Sequence, residues 1–220
     1  MTDWATVSSL ATAGGTLVLA VATFASVRSA NASARVAERA LQINLRPVLA
    51  PTRYEDPVQK VMFIDQQWVH LQGGRGAVEF REGNIYLAMG LRNVGSGIAV
   101  LRAWKSYPAR PDTEPGELLE SFRPLTRALW VPPGDIGFWQ GAIRDEDDAE
   151  HAELRRAIAD RSPLTVDLLY GDHEGGQPAV SRFSLTPRDS DDWWAAVSQH
   201  RNLSGHGLPP PNGAGRAGRS

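Results

Sequence analysis

The sequence contains no cysteine. That one absence excludes disulfide staples, thiolate metal sites and cysteine nucleophiles together. An excess of either charge is missing too: 23 Lys and Arg stand against 25 Asp and Glu, a formal charge of −2. No basic footprint for nucleic acid follows from such a balance. The chain also lacks an HExxH pair, a G-x-S-x-G elbow and any Walker-type glycine pattern. Catalytic residues, cofactors and metals are accordingly expected to be none. Charged residues make up 22% and hydrophobic ones 42%, close to the globular average, which excludes wholesale disorder and a polytopic membrane protein. Seven Trp and fifteen Pro favour sheets with proline-rich connections over a helical bundle.

Only one long uncharged run is present. After residues 1–3, it extends from Trp4 to Val27, bounded by Asp3 and Arg28. As a helix rising about 1.5 Å per residue it would cover roughly 36 Å, enough for a hydrocarbon core of about 30 Å. A transmembrane helix is therefore expected over 4–27. A cleavable signal would begin with Lys or Arg, whereas this segment begins with Asp3. Arg28, Arg35, Arg39 and Arg46 follow the run, opposed by Glu38 alone. By the positive-inside rule the remainder should be cytoplasmic, on a single-pass protein of the cell membrane. Small residues pair at four-residue spacing, Ala11 with Gly15 and Ala22 with Ser26. This spacing lets helix backbones approach closely in lipid and is compatible with homodimerisation through the span.

Residues 28–46 are Ala-rich, free of Gly and Pro, and stopped by Pro47. They should continue the helix, with the four arginines forming one stripe. Those arginines are candidates for contact with lipid headgroups or a partner. On an upright helix Arg46 would lie about 27 Å beyond Arg28, several Debye lengths of about 8 Å from the surface. Lipid contact along the whole stripe needs a bend near Ser29 to Asn31.

After Pro47 short β-branched and aromatic runs alternate with Gly and Pro. Ten strands are expected: 48–54, 58–64, 68–71, 77–80, 85–94, 98–107, 125–131, 136–143, 164–170 and 179–185. The fold class read from them is mainly β, an Ig-like antiparallel β-sandwich over 47–203. Ile85, Leu87, Met89 and Leu91 should face the core, with Tyr86, Ala88, Gly90 and Arg92 opposite. Helices are expected near 147–160, opened by the acidic run Asp145 to Asp148, and near 190–200, opened by Asp189 to Asp192. Residues 204–220, rich in Gly and Pro, should be a disordered tail.

Two loops carry polar motifs. In Asn93-Val94-Gly95-Ser96-Gly97-Ile98-Ala99 the asparagine can cap a tight turn and the glycines supply positive φ. No helix follows to receive a phosphate. Tyr170-Gly171-Asp172-His173-Glu174-Gly175 places three ionisable groups on a glycine-rich turn, which closes a hairpin more readily than it builds a metal site. His70, His151, His200 and His206 share no ligand spacing. The apolar N-terminal span, the Arg46-Pro47 stop, the Asn93-x-Gly95-x-Gly97-x-Ala99 turn and the Tyr170-x-Asp172-x-x-Gly175 hairpin together resemble bacterial membrane-anchored β-sandwich proteins. That resemblance implies a fold and an anchor and brings no activity. The expected function is a membrane-tethered interaction or scaffolding module with an unknown protein partner, not an enzyme. An alternative is an outward-facing small-molecule or glycan-binding domain using Trp104, Trp130 and Trp139. A third reading is an enzyme built on the Asp172 to Glu174 loop.

Overall fold

A computed structural model describes residues 4–188 and 192–203, and the chain divides into two compact units after Asn44. The first unit is one α-helix, α1 (Trp4–Asn44). Among the described residues one helical segment is long and apolar enough to cross a membrane, Ala13–Glu38, and its side chains are exposed. Thr23 Oγ1 donates to Leu19 O at 2.7 Å and Ser26 Oγ to Ala22 O at 2.8 Å. These hydroxyls are satisfied without water, as a lipid environment demands.

The helix runs unbroken through Ser29 to Asn31, where contact of the whole stripe with lipid would have needed a bend. It ends at Asn44, two residues earlier than the expected stop. Arg46 therefore belongs to the second unit and not to the stripe. Arg28 and Arg35 are exposed on the helix, while the side chains of Arg39 and Ala11 lie outside the described residues.

The second unit is mainly β. In chain order it comprises β1 (Leu49–Pro51), β2 (Gln59–Met62), β3 (Trp68–Leu71), β4 (Arg75–Arg81), β5 (Asn84–Asn93), β6 (Ala99–Tyr107), β7 (Arg123–Val131) and β8 (Ile136–Ile143). Then follow α2 (His151–Ala159), β9 (Leu164–Gly171), β10 (Ala179–Pro187) and β11 (Trp193–Asn202). Nine strands form one antiparallel sheet whose path runs β1, β5, β4, β11, β10, β9, β6, β7, with β8 along the other edge of β5. Among the described residues β2 and β3 pair only with each other. The terminal strands β7 and β8 are neighbours in sequence, joined by the 132–135 turn, so the sheet curls until its ends meet there. What packs face to face is two parts of the same sheet: Trp104 on β6 stacks edge-on against Trp139 on β8, ring centroids 5.3 Å apart. Gly141 makes room, because a Cβ there would run into both indoles.

The alternation read in β5 is real but covers two cores. Ile85, Leu87, Met89 and Leu91 join the main core inside the curl. Tyr86 and Ala88, on the opposite face, are also buried, beneath Val61, Phe63, Val69 and Leu71 of the β2–β3 hairpin. On the outer face of the β6–β9–β10 region, Phe122 and Leu203 cover Leu169 and Val180. Central strands buried on both sides read as continuous apolar runs, and β9 is buried at every position.

Two expected helical features are corrected. The segment expected to be helical near 190–200 is strand β11, paired with β10 along its length. Trp193 and Val197 are four residues apart, a spacing that suits both a helix turn and the same face of a strand; pairing with β10 decides it. The acidic run, in turn, does not cap α2, which starts at His151 with Glu150 as an N-cap lacking a side-chain hydrogen bond. Asp145 Oδ1 instead accepts the Asp147 N–H and Asp148 Oδ1 the Glu150 N–H, each at 3.0 Å. Arg123 on β7 binds both Asp148 and Glu150, and Lys105 on β6 binds Glu150 at 3.0 Å. These carboxylates tie the loop to the sheet.

These ion pairs predict an acid limit. Hydrogen bonding from Arg123 holds the Asp148 carboxyl below the usual range, outweighing its burial. At Asp56 and Asp65 burial opposes ionisation, yet bonds from Arg92 and Arg53 N–H to the first, and from Tyr86 and Arg144 to the second, prevail and lower both. A carboxyl lowered in the folded state stabilises fully above its unfolded pKa of about 4 and loses that contribution as pH falls through the folded value. Urea titrations should give a level unfolding free energy from about pH 7 to 5 and a decline below about 4. Asp148→Asn should make that decline shallower; an unchanged slope would refute the assignment.

Candidate interaction surface

The sheet has a seam where its two ends come together. β8 pairs with β5 from Ile136 to Ile143, and β7 pairs with β6. The β6–β7 ladder steps from Leu101↔Leu129 to Ala103↔Pro124, so β7 bulges away over 125–128. Proline on this strand suits an edge position, since it has no N–H to give. Beyond the 132–135 turn the seam opens into two adjoining clefts. One, of about 240 Å³, lies among Trp104, Arg123, Leu125, Gln140 and Arg144. The other, of about 360 Å³, lies among Met62, Ile64, Leu125, Leu129, Phe138 and Gln140.

The tip of the β2–β3 hairpin overhangs both clefts through Phe63 and Ile64. Ile64 is 83% exposed, Trp68 52% and Met62 49%, and Met62 lies directly opposite Trp68 in the hairpin register. A cluster of large apolar side chains facing water beside an apolar cleft marks an interaction site more often than a plain surface. The tip is held in place electrostatically: Asp65 accepts a 2.7 Å bond from the Tyr86 hydroxyl and pairs with Arg144 at 3.2 Å. Burial, together with the bond to Asp65, raises the Tyr86 hydroxyl above its ordinary pKa, keeping it a neutral donor. Arg127, at the bulge, is exposed and forms no ion pair among the described residues. Gln140 Oε1 is buried in the cleft wall without a hydrogen-bond partner among them.

The other residues singled out in the sequence, whether as a structural turn or as candidate contacts, take the following places. Asn93 is fully buried and bonds through its side chain to Gly97 O, Val131 O, Val48 N and Gly95 N. Gly95 and Gly97 do not adopt positive φ; they are glycines because the chain at 45–48 passes over them too closely for a Cβ. Arg46 Nε donates to Gln177 Oε1 at 3.1 Å. Trp104 and Trp139 are core residues, and of the three tryptophans offered as a glycan platform only Trp130 is exposed. Asp172 is buried at the turn, where its carbonyl accepts the Gly175 N–H at 3.2 Å, while His173 and Glu174 face solvent.

No protein-family model matches this chain, and no curated protein does. The geometry of its surfaces therefore carries the functional reading. Two other arrangements invite one. Ser181 Oγ lies 3.0 Å from His200 Nδ1, a distance suited to a nucleophile and its base. Yet Ser181 is fully buried and also bonds the Tyr170 hydroxyl at 2.8 Å, which accepts the Leu49 N–H; the group is a strut for β1. A cleft of about 500 Å³ beside β4 is lined by Arg75, Arg81, Glu79 and Asp192, but these pair with one another.

The seam was not foreseen from the sequence. One signal was available: Val61-Met62-Phe63-Ile64 is apolar at four consecutive positions, where a strand covering one core should alternate. Two of those four side chains point away from that core, and they are the exposed ones.

Proposed function

We propose that this protein is a membrane-tethered interaction module. Its α1 helix anchors the chain in the cell membrane, and its β domain captures a protein partner at the seam between β7 and β8. The observation that carries this reading is the exposed apolar hairpin tip running into an open cleft between two strand edges. Arg28, Arg35 and Arg39 after the apolar run favour a cytoplasmic position for the domain.

Photo-crosslinking of the full chain in native membranes tests the reading. A benzophenone amino acid at Thr126, beside the cleft, should give one discrete adduct, whereas the same probe at Thr186, exposed on β10, should not. Ile64→Asp should abolish the Thr126 adduct. If Thr126 yields no adduct, or one indifferent to Ile64→Asp, the seam is not the site. C-terminal reporter fusions active only outside the membrane would move the domain to the other compartment and favour an extracytoplasmic ligand.

A further inference from the structure

We infer that the partner is captured by strand addition: an extended segment lies along the free edge of β8, with apolar side chains at alternate positions and an acidic residue facing Arg127. This rests on the reading of the seam as an interaction site and specifies its chemistry.

The first ground is the state of the two edges. A strand edge presents unpaired N–H and C=O groups in a row, and natural proteins blunt such edges with charge, proline or bulges. β7 carries both Pro124 and the 125–128 bulge. β8 carries no such protection: Ile-Gly-Phe-Trp-Gln-Gly-Ala-Ile contains neither a charge nor a proline. All eight of its residues pair with β5, and no pairing on its other edge occurs among the described residues. An unprotected, regular edge beside a cleft is the acceptor that strand-adding peptides use, with main-chain bonds giving affinity and side-chain pockets giving specificity.

The second ground is the lining. Strand side chains alternate in direction, so every other residue of an added segment would point toward Met62, Ile64, Leu129 and Phe138, which accept apolar groups. Arg127 supplies an exposed cation with no ion pair among the described residues, and a carboxylate is its complement. The chain's own residues 204–220 do not fit these requirements, since they contain Pro209-Pro210-Pro211 and no acidic residue.

The test uses the full-length chain in detergent and a displayed library of random peptides. Enriched peptides should alternate apolar residues and share an Asp or Glu. N-methylation of their backbone amides should weaken binding by about tenfold or more at every second position and leave the intervening positions unaffected, because only one set of N–H groups faces the edge. Arg127→Glu should weaken binding by about tenfold, and replacing the peptide's acidic residue with Lys should restore it. Peptides insensitive to N-methylation, or bound equally by the Ile64→Asp and Arg127→Glu variants, would overturn strand addition. A library with no enrichment over those variants would overturn it too, and so would a concentration-dependent dimer that both variants abolish, which would make a second copy the occupant. The Thr126 cross-link decides separately whether the seam is an interaction site at all.

Discussion

Arg182→Leu should destabilise the β domain by about 3–5 kcal/mol, the usual cost of breaking a buried ion pair from one side. The Arg182 and Asp167 side chains are 1% and 0% exposed. They meet through two parallel bonds, Nε to Oδ1 at 2.7 Å and Nη2 to Oδ2 at 2.8 Å. The third guanidinium nitrogen donates to Thr113 O at 2.6 Å, pinning the loop that follows β6 against the outer face of β9 and β10. Burial opposes the charge on Arg182, but the Asp167 carboxylate outweighs it and leaves the guanidinium held more firmly than usual. Removing the guanidinium strands a carboxylate in the protein interior. Removing both partners does not: Asp167→Leu with Arg182→Leu should recover most of the loss, leaving about 1–2 kcal/mol for the unpaired Thr113 carbonyl. Urea unfolding of both single variants and the double variant measures this coupling. Equal losses in the Arg182→Leu and double variants would show that shape, rather than a stranded charge, sets the cost.

This pair also shows where the sequence is readable and where it is not. Strands β3 and β8 have the limits expected from the sequence, Trp68–Leu71 and Ile136–Ile143. Gly, Pro and Asp punctuate their flanks, most plainly at Pro132-Pro133-Gly134-Asp135, and such signals act locally. The apolar N-terminal helix was legible for the same reason, being one contiguous stretch. Asp167 is the one charge in residues 164–170 and Arg182 the one charge in residues 179–185, but nothing in either segment says that they face each other. That depends on the β9–β10 register, in which Arg182 lies opposite Asp167. The seam is further from view. Which edges stay open depends on β8 pairing with β5 instead of with its sequence neighbour β7, a non-local choice with no local residue signature. β11 failed for a different reason: its Ala and Gln residues favour a helix in isolation, and pairing with β10 overrides that preference.

Replacing Asn93 should cost nearly as much as replacing Arg182, and the chemistry of the replacement should matter more than its size. The Asn93 Nδ2 group donates to Gly97 O at 2.6 Å and Val131 O at 2.9 Å. Its Oδ1 accepts from Gly95 N at 3.0 Å and Val48 N at 3.3 Å. One side chain thus joins the β5–β6 turn, the end of β7 and the strand that enters the domain just after Pro47. Asn93→Ala leaves four backbone groups without that partner, and with about 1–3 kcal/mol for each group that water cannot reach, a total near 3–5 kcal/mol is expected. Asn93→Asp keeps the shape but turns two donors into acceptors aimed at the Gly97 and Val131 carbonyls, so it should be at least as damaging as alanine. Thermal and urea unfolding of the two variants would check the ranking; a near-wild-type Asn93→Asp protein would mean that volume, not donor geometry, holds the junction. Gly97→Ala bears on the same junction by another route. A methyl group there would overlap the Leu45 carbonyl, whose backbone must shift to admit it and would carry Val48 out of reach of Asn93. Because both substitutions disturb the Asn93–Val48 contact, their combined loss should fall short of the sum of the two, while the overlap with Leu45 keeps Gly97→Ala costly in either background.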